Sequence, residues 1–222
     1  MGVIIGSVRY WFFVAVAVLF EIELKKQTAT VGVLLNVTIL HMKQRQYTSE
    51  GIILSRKNYS EADRILVCFS KHYGKLTLLA KGIRKIKSKK RGHLEIFSKV
   101  KFSAVSGHGM DIITETETIN DFSGVRSNLN KISLAYYFCE VVNKITHEDG
   151  NLSTVYSLLS TALERLEVET ELKKLRLKFI YDLLTEMGYW PEDKKLIDSD
   201  IVLEDIIERK LSSVRVGKIV LQ

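Results

Sequence analysis

The side chains best suited to chemistry in this sequence are a dense group of cations between residues 81 and 91. Seven of these eleven residues are basic and none is acidic. Such a run is typical of a solvated loop, but it also matches the electrostatic footprint of a phosphate-binding surface. Gly82 and Gly92 stand near its ends, between strand-like stretches, so we expect the charges to project from one edge of a sheet. The cations of this basic segment are Lys81, Arg84, Lys85, Lys87, Lys89, Lys90 and Arg91.

No catalytic motif accompanies the basic segment. The sequence lacks the Gly-x4-Gly-Lys-Ser/Thr loop that cradles phosphates, and Gly107-His108-Gly109 is followed by Ile112 where a dinucleotide fingerprint requires its third glycine. Asp111, Glu115 and Glu117 share one strand and could hold a metal ion, although a solvated strand face explains them better. We therefore predict that the protein is not an enzyme and uses no metal, cofactor or small-molecule substrate.

Composition and charge fit a globular protein with a basic part. The 222 residues are 46% hydrophobic and carry a net charge of +7, which excludes a disordered or collagen-like chain. The charge is +1 over residues 1–41, +9 over 42–119 and −3 over 120–222. This asymmetry is typical of a polyanion-binding domain joined to a scaffold or partner-binding domain. Cys68 and Cys139 are the only cysteines, and we expect both to be buried thiols in a reducing, cytoplasmic compartment.

Residues 1–41 form a hydrophobic extension that does not match the rest. Tyr10–Phe20 is an unbroken apolar run of eleven residues, short of the roughly 20 needed to cross a bilayer. Arg9 would be costly inside a longer membrane span. We interpret Met42 as the biological start and residues 1–41 as upstream sequence read in frame, so we expect no membrane partner; a signal anchor or an added hydrophobic hairpin is the alternative.

The remaining sequence predicts a barrel followed by helices. Short runs with turn signals between them predict strands over Gly51–Leu54, Arg64–Phe69, Leu76–Ala80, Phe97–Val105 and Met110–Glu117, enough for a small barrel. After residue 120 the apolar period becomes helical. The three stripes begin at Leu129, Leu152 and Leu172, and Gly188 and Pro191 are predicted to end the third. A short fourth helix is predicted over Ile201–Leu211. The first stripe contains Leu129, Ile132, Ala135, Tyr136, Cys139, Val142 and Ile145. The predicted fold class is α+β.

The order of several short motifs resembles the bacterial RecO family of DNA repair and recombination mediators. In the strand-rich part these are Gly51-Ile52-Ile53-Leu54, residues 59–65, Phe69-Ser70, Gly74-Lys75-Leu76, residues 80–84, Ser88, Gly92-His93-Leu94 and Phe97. In the helical part they are residues 175–179, Leu183-Leu184 and Gly188-Tyr189-Trp190-Pro191. The resemblance covers about residues 42–191.

This resemblance implies both fold and function. It implies an OB-fold DNA-binding domain over residues 42–119 and an all-helical domain over 120–222. It further implies binding of single- and double-stranded DNA, annealing of complementary strands, and loading of the recombinase RecA with the partners RecR and single-strand-binding protein, in the cytoplasm near the nucleoid. Many members carry a four-cysteine zinc module after the Gly-Tyr-x-Pro element, but only 31 residues follow Pro191 and none is cysteine. We therefore expect no zinc and a reduced helical domain.

The expected mechanism is attraction of phosphates without base preference. If about five cations of the basic segment touch phosphates, the log affinity for single strands should fall with log salt at a slope of about −3.5. Arg56, Lys57 and Arg64 are weaker candidates for DNA contact. Tyr59, Tyr73 and Phe97 could stack on bases, although core packing explains Phe97 at least as well. An RNA-binding OB-fold protein of translation or RNA turnover is the alternative function, and a membrane-tethered basic adaptor is a third reading.

Overall fold

The structure is a computed structural model that describes residues 46–88, 90, 92–147, 153–194, 196 and 199–207. The hydrophobic extension over residues 1–41 and the proposed start at Met42 lie outside these ranges. Among the described helices, none combines the length and apolarity that a membrane crossing requires.

Five strands close into a barrel in the order β1-β2-β3-β5-β4. Their bounds are Gln46–Asn58 for β1, Arg64–Ser70 for β2, Gly74–Ala80 for β3, Lys99–Val105 for β4 and Asp111–Asn120 for β5. The long β1 pairs antiparallel with both β2 and β4, whereas β3 pairs parallel with β5 and closes the barrel. The five predicted strands are confirmed, but β1 is longer than predicted because polar Thr48 and Glu50 alternate with buried Tyr47 and Ser49 at its start.

Close packing inside the barrel explains one glycine and one cysteine. A Cβ atom on Gly51 would lie 2.3 Å from Cys68 Sγ, so only glycine fits beneath this thiol. Gly74 begins β3 with φ of 65°, a conformation that glycine adopts without strain. The interior cluster consists of Tyr47, Ile53, Leu66, Cys68, Leu78, Ala80, Ile83, Leu94, Val100, Phe102, Ala104 and Ile113.

The described helices follow the barrel in sequence. They are α1 (Ser123–Arg126), α2 (Leu129–Ile145), α3 (Ser153–Val168), α4 (Leu172–Glu186) and α5 (Ser199–Ile207). Asn128 caps α2, because its side chain accepts hydrogen bonds from two backbone amides of the first turn. Gly188, with φ of 74°, and Pro191 follow α4 as predicted. The α+β class is thus confirmed.

The predicted apolar stripe of α2 is partly wrong. Leu129 and Tyr136 are exposed by 67% and 40%, whereas Leu134, Phe138 and Val141, which lie off the stripe, are buried. The reason is that α2 contacts β1 as well as α3, α4 and α5, so it buries much more than one face. A single stripe describes a helix with one buried face only.

The barrel and the helices share one apolar core and are joined by polar contacts of Lys75, Arg126 and Lys99, the last of which donates from Nζ to Ser160 Oγ in α3 (2.9 Å). Ile52, Leu54 and Phe69 belong to the same buried cluster as the helices. Lys75 of β3 donates from Nζ to the backbone carbonyls of Asn143 (2.9 Å) and Thr146 at the end of α2. These carbonyls have no helical partner of their own, so a lysine is well suited to cap them.

The second link is Arg126 at the end of α1. Its Nη2 donates to the carbonyl of Ile96 (2.9 Å) and to Ser98 Oγ (3.0 Å), and its guanidinium lies 3.9 Å from the centre of the Phe97 ring. Phe97 is 1% exposed and has φ of 56°. Of the two roles predicted for Phe97, base stacking is wrong and core packing is confirmed, because its ring fills the junction between barrel and helices.

Candidate nucleic-acid interface

The basic segment is anchored to the barrel by apolar side chains. Ile83 lies within it and Leu94 follows it, and both are fully buried in the barrel interior. The chain between β3 and β4 is therefore held down at two points rather than extending as a free loop. The sequence prediction placed the charges at the edge of a sheet. The sheet is instead a closed barrel, and the segment is attached to it through the buried side chains of Ile83 and Leu94.

The first turn of the basic segment, residues 81–88, is also fixed by hydrogen bonds to the loop between β1 and β2, residues 59–63. The Gly82 amide donates to Asp63 Oδ1 (2.7 Å), and the Arg84 amide donates to the carbonyl of Ala62 (2.9 Å). The Arg84 guanidinium donates from Nη1 to the carbonyl of Ser60 (3.0 Å). Gly82 has φ of 67°, a conformation that glycine adopts without strain. These contacts position the cations of the turn before any ligand arrives.

The cations of this turn are open to solvent. Lys81, Arg84, Lys85 and Lys87 are all exposed. The three lysines form no ion pair with any acidic side chain that the structure describes. Their charges are thus available to an anionic ligand, since neither burial nor a described carboxylate neutralises them.

Lys90 is placed differently from these four. It is half-buried, and its Nζ donates to the carbonyl of Ile113 in β5 (2.7 Å). Burial lowers the pKa of Lys90, while the charge of Glu115 opposes that shift. Lys90 therefore holds the end of the basic segment against the barrel wall. The predicted contacts of Lys89 and Arg91 lie outside the described residues.

A groove of about 630 Å³ runs between the first turn and the β1–β2 loop. Lys81 and Lys85 lie on one side and Glu61 and Asp63 on the other. The Asp63 carboxylate is already engaged by the Gly82 amide. The groove therefore has a cationic wall and an opposite wall on which Glu61 carries the carboxylate that the Gly82 amide does not engage.

Of the weaker candidates, Arg56 and Arg64 are engaged internally. Both form ion pairs with Glu95, and the Arg64 pair joins Nη1 to Oε1 at 3.7 Å. Arg64 also donates from Nε to Asn58 Oδ1 (3.2 Å). Because Glu95 offsets part of their charge, only Lys57 of this predicted group is both exposed and without a described ion-pair partner.

Two of the predicted stacking residues are accessible. Tyr59, on the β1–β2 loop, is 60% exposed, and Tyr73, in the turn before β3, is 44% exposed. The Tyr73 ring packs against Tyr47 with 4.7 Å between ring centres, so one of its faces is already covered. Tyr59 shares its loop with Ser60, which accepts the hydrogen bond from Arg84.

Two further grooves lie elsewhere in the described structure. One of about 730 Å³ on the barrel wall mixes Lys90, His93 and Lys101 with Glu115 and Glu117. The other, of about 410 Å³, lies between α3 and α4 and is acidic. Its lining residues are Thr154, Leu158, Tyr181, Asp182, Thr185, Glu186 and Glu192. Lysines and acids balance both in the barrel-wall groove and in the groove beside the first turn, so it is the exposed cations of the turn, and not the charge of a groove, that favour a polyanion there.

The described residues hold no cluster of histidine, cysteine, aspartate or glutamate that could bind a metal ion. Asp111 accepts a hydrogen bond from the hydroxyl of Tyr47 at 2.7 Å. Cys68 and Cys139 are fully buried, as predicted, and burial raises the pKa of the Cys139 thiol to about 12. Both thiols therefore serve as small apolar side chains.

Comparison with known protein families matches nearly all of this described region. Residues 42–122 match the family described as Recombination protein O N terminal, and residues 126–195 match Recombination protein O C terminal. The chain belongs to the RecO family. The boundary between the two RecO matches falls at α1, where the barrel ends and the helices begin.

Curated relatives support the same assignment. The chain is 33% identical over 150 residues to a protein of Dehalococcoides mccartyi, covering 68% of this chain and 59% of the relative. It is 35% identical over 146 residues to one of Rubrobacter xylanophilus (65% and 58%) and 28% identical over 151 residues to one of Roseiflexus (68% and 53%). Each is named DNA repair protein RecO. The chain thus spans somewhat more than half the length of these RecO relatives.

Sequence reasoning missed the residues that position the RecO basic segment. Asp63 holds the first turn although it lies 19 positions before Gly82, a separation that gives no local signal. Ile83 and Leu94 could have been found, because isolated apolar residues in and beside a cationic run indicate anchors. Ile86, which is exposed, has no such role.

Proposed function

We propose that this chain acts as a DNA repair and recombination mediator. It binds single- and double-stranded DNA, anneals complementary strands and helps to load recombinase with RecR onto DNA coated by single-strand-binding protein. One observation carries the proposal: in a chain of the RecO family, four exposed cations stand on a turn that is fixed to the barrel before any ligand binds.

We further propose that residues 42–119 form an OB-fold DNA-binding domain and residues 120–222 a helical domain. The strand order supports this assignment, since a closed five-stranded barrel with β1 paired to both β2 and β4 has the connectivity of OB-folds. In such folds the β1–β2 loop contributes to oligonucleotide binding. Here that loop is the one to which the first turn of the basic segment is tied.

The proposed mechanism separates holding a strand from reading it. Lys81, Lys85 and Lys87 are flexible point charges that attract phosphates of any sequence. The Arg84 guanidinium is held in one orientation by its hydrogen bond to the carbonyl of Ser60, so the phosphate that it contacts has a defined position. Because phosphate contacts carry no sequence information, the Watson–Crick edges of the bound strand stay available to a complementary strand.

The partner interactions are proposed with RecR, with single-strand-binding protein and indirectly with RecA. An acidic tail from single-strand-binding protein is expected to avoid the groove between α3 and α4, because Asp182, Glu186 and Glu192 would repel it. Such a tail is better matched by the exposed lysines of α4, among which Lys173 has no ion-pair partner in the described residues whereas Lys174 pairs with Glu171.

The deciding experiment is annealing of complementary oligonucleotides coated with the cognate single-strand-binding protein. We expect the chain to accelerate duplex formation over the coated strands alone, with the rate falling as salt rises. Failure to bind oligonucleotides even in dilute buffer would remove the proposal. Competition with RNA of the same sequence separates the alternative function, since an RNA-binding protein would bind the RNA more tightly and show no annealing of coated DNA.

A further inference from the structure

Ile86 stands at the most solvent-exposed point of the first turn of the basic segment. Its side chain is 92% exposed, the highest value among the exposed large hydrophobic side chains that the structure describes. The backbone on both sides is hydrogen-bonded, from the Lys85 amide to the Gly82 carbonyl (3.1 Å) and from the Ser88 amide to the Lys85 carbonyl (3.0 Å). The turn therefore presents Ile86 in a defined place.

The surroundings of Ile86 are what make its exposure informative. A single exposed apolar side chain is ordinary on protein surfaces. Val168, at the end of α3, is 82% exposed but stands between Glu167 and Glu169. Ile86 instead stands between Lys85 and Lys87, both exposed. An apolar tip flanked by cations suits a ligand that carries phosphates around an apolar surface.

We propose that Ile86 contacts nucleobases of the bound strand while the neighbouring lysines hold its phosphates. This inference rests on the proposed function and extends it from the backbone of the strand to its bases. Isoleucine is among the apolar side chains that nucleic-acid-binding proteins place against or between bases. Every base presents the same kind of apolar face, so the contact requires no particular sequence.

The contact also serves annealing. A side chain packed on the face of a base leaves the hydrogen-bonding edge of that base free, whereas a polar side chain at this position would compete for the edge. By holding neighbouring bases apart from one another, Ile86 keeps the strand from folding on itself. The lysines supply the salt-dependent part of the affinity and Ile86 a part that salt does not screen.

The test compares Ile86→Ser with wild type on two ligands, using fluorescence anisotropy across a range of salt concentrations. One ligand is an ordinary single-stranded oligonucleotide; the other has the same length and phosphates but abasic sites throughout its centre. We expect Ile86→Ser to bind the ordinary strand about five- to tenfold more weakly with an unchanged salt slope. On the abasic strand it should match wild type. Ile86→Leu should bind like wild type, and Val168→Ser is the matched control for loss of an exposed apolar side chain.

The outcomes separate this inference from the proposed function. If Ile86→Ser binds both strands like wild type, weakens both equally or changes the salt slope, Ile86 does not contact bases, although the chain still binds DNA. If wild type binds neither strand at low salt, the proposed function fails and the inference with it. Because Ile86 is almost fully exposed, its substitution leaves the packed core intact.

Discussion

Neutralising the exposed cations of the first turn should change how binding depends on salt. The perturbation is the quadruple variant Lys81→Gln, Arg84→Gln, Lys85→Gln and Lys87→Gln, in which all four sites are exposed in the structure. Glutamine keeps most of the side-chain length and removes the charge. Arg84 loses its hydrogen bond to Ser60, but the backbone contacts of Gly82 and Arg84 remain to hold the turn.

The magnitude follows from the number of accessible charges. These four cations together with Lys57 give five contacts to phosphates, which corresponds to a slope of about −3.5 for single strands. Removing four contacts at about 0.7 each leaves a slope of about −0.7. The counterion term scales with the logarithm of salt concentration and is zero at about 1 M, so the loss of about 2.8 in slope weakens binding about 600-fold at about 0.1 M salt.

The assay is anisotropy of a labelled oligothymidylate and of a mixed-sequence strand over a range of sodium chloride concentrations. The matched control removes four charges from the part of the chain that follows the barrel: Lys173→Gln, Lys174→Gln and Lys178→Gln in α4 and Lys194→Gln after it, all at exposed sites. This control has the same net charge as the test variant. It should keep the wild-type slope if the charge acts at the first turn and not through the overall field of the protein.

Two results would refute this reasoning. If the test variant keeps the wild-type slope, the first turn does not touch phosphates. If test and control variants weaken binding equally, affinity reflects net charge rather than a site. A loss confined to one of the two sequences would point to base recognition by the cations, contrary to the proposed mechanism.

Three other predictions concern the structure that supports the site. Ile83→Ala should lower the free energy of unfolding by about 2–4 kcal/mol, measured by urea denaturation, because it leaves a cavity in the barrel; a change below about 0.5 kcal/mol would contradict the anchoring role. Cys68 and Cys139 should not react with a thiol reagent at pH 8 until the protein is unfolded, since burial raises the pKa of both thiols; a thiol that reacts fast without denaturant would show an open core. Arg126→Met should cost about 2 kcal/mol by removing the charged contact to Phe97 and its hydrogen bonds, and an unchanged melting temperature would argue against this link.

The elements could be predicted where their pattern is local. Alternation and turn residues gave β2 and β3 nearly to the residue, and apolar spacing with Gly188 gave α4 and its end. The pattern misled for α2, because Tyr136 and Phe138 differ in burial through contacts with parts of the chain far away in sequence. Periodicity reports one buried face and cannot show that a helix lies between two layers.

The candidate site shows the same division. Charge density is a property of neighbouring residues, so the basic segment could be found without a structure. Which cations remain available depends on distant partners: Glu95 pairs with Arg56, which lies 39 positions before it, and Lys90 reaches a carbonyl 23 positions later. Phe97 looked like a stacking residue because its type fits, but its neighbour in space is Arg126.

The polar links between barrel and helices have a consequence for geometry. Lys75, Arg126 and Lys99 connect the two parts at separate points, and together with the shared apolar core these contacts oppose rotation of one part against the other. A polymer bound along the barrel would thus keep a fixed orientation relative to a molecule bound to the helices. Passing a strand from one to the other relies on the bending of that strand and not on a hinge in the protein.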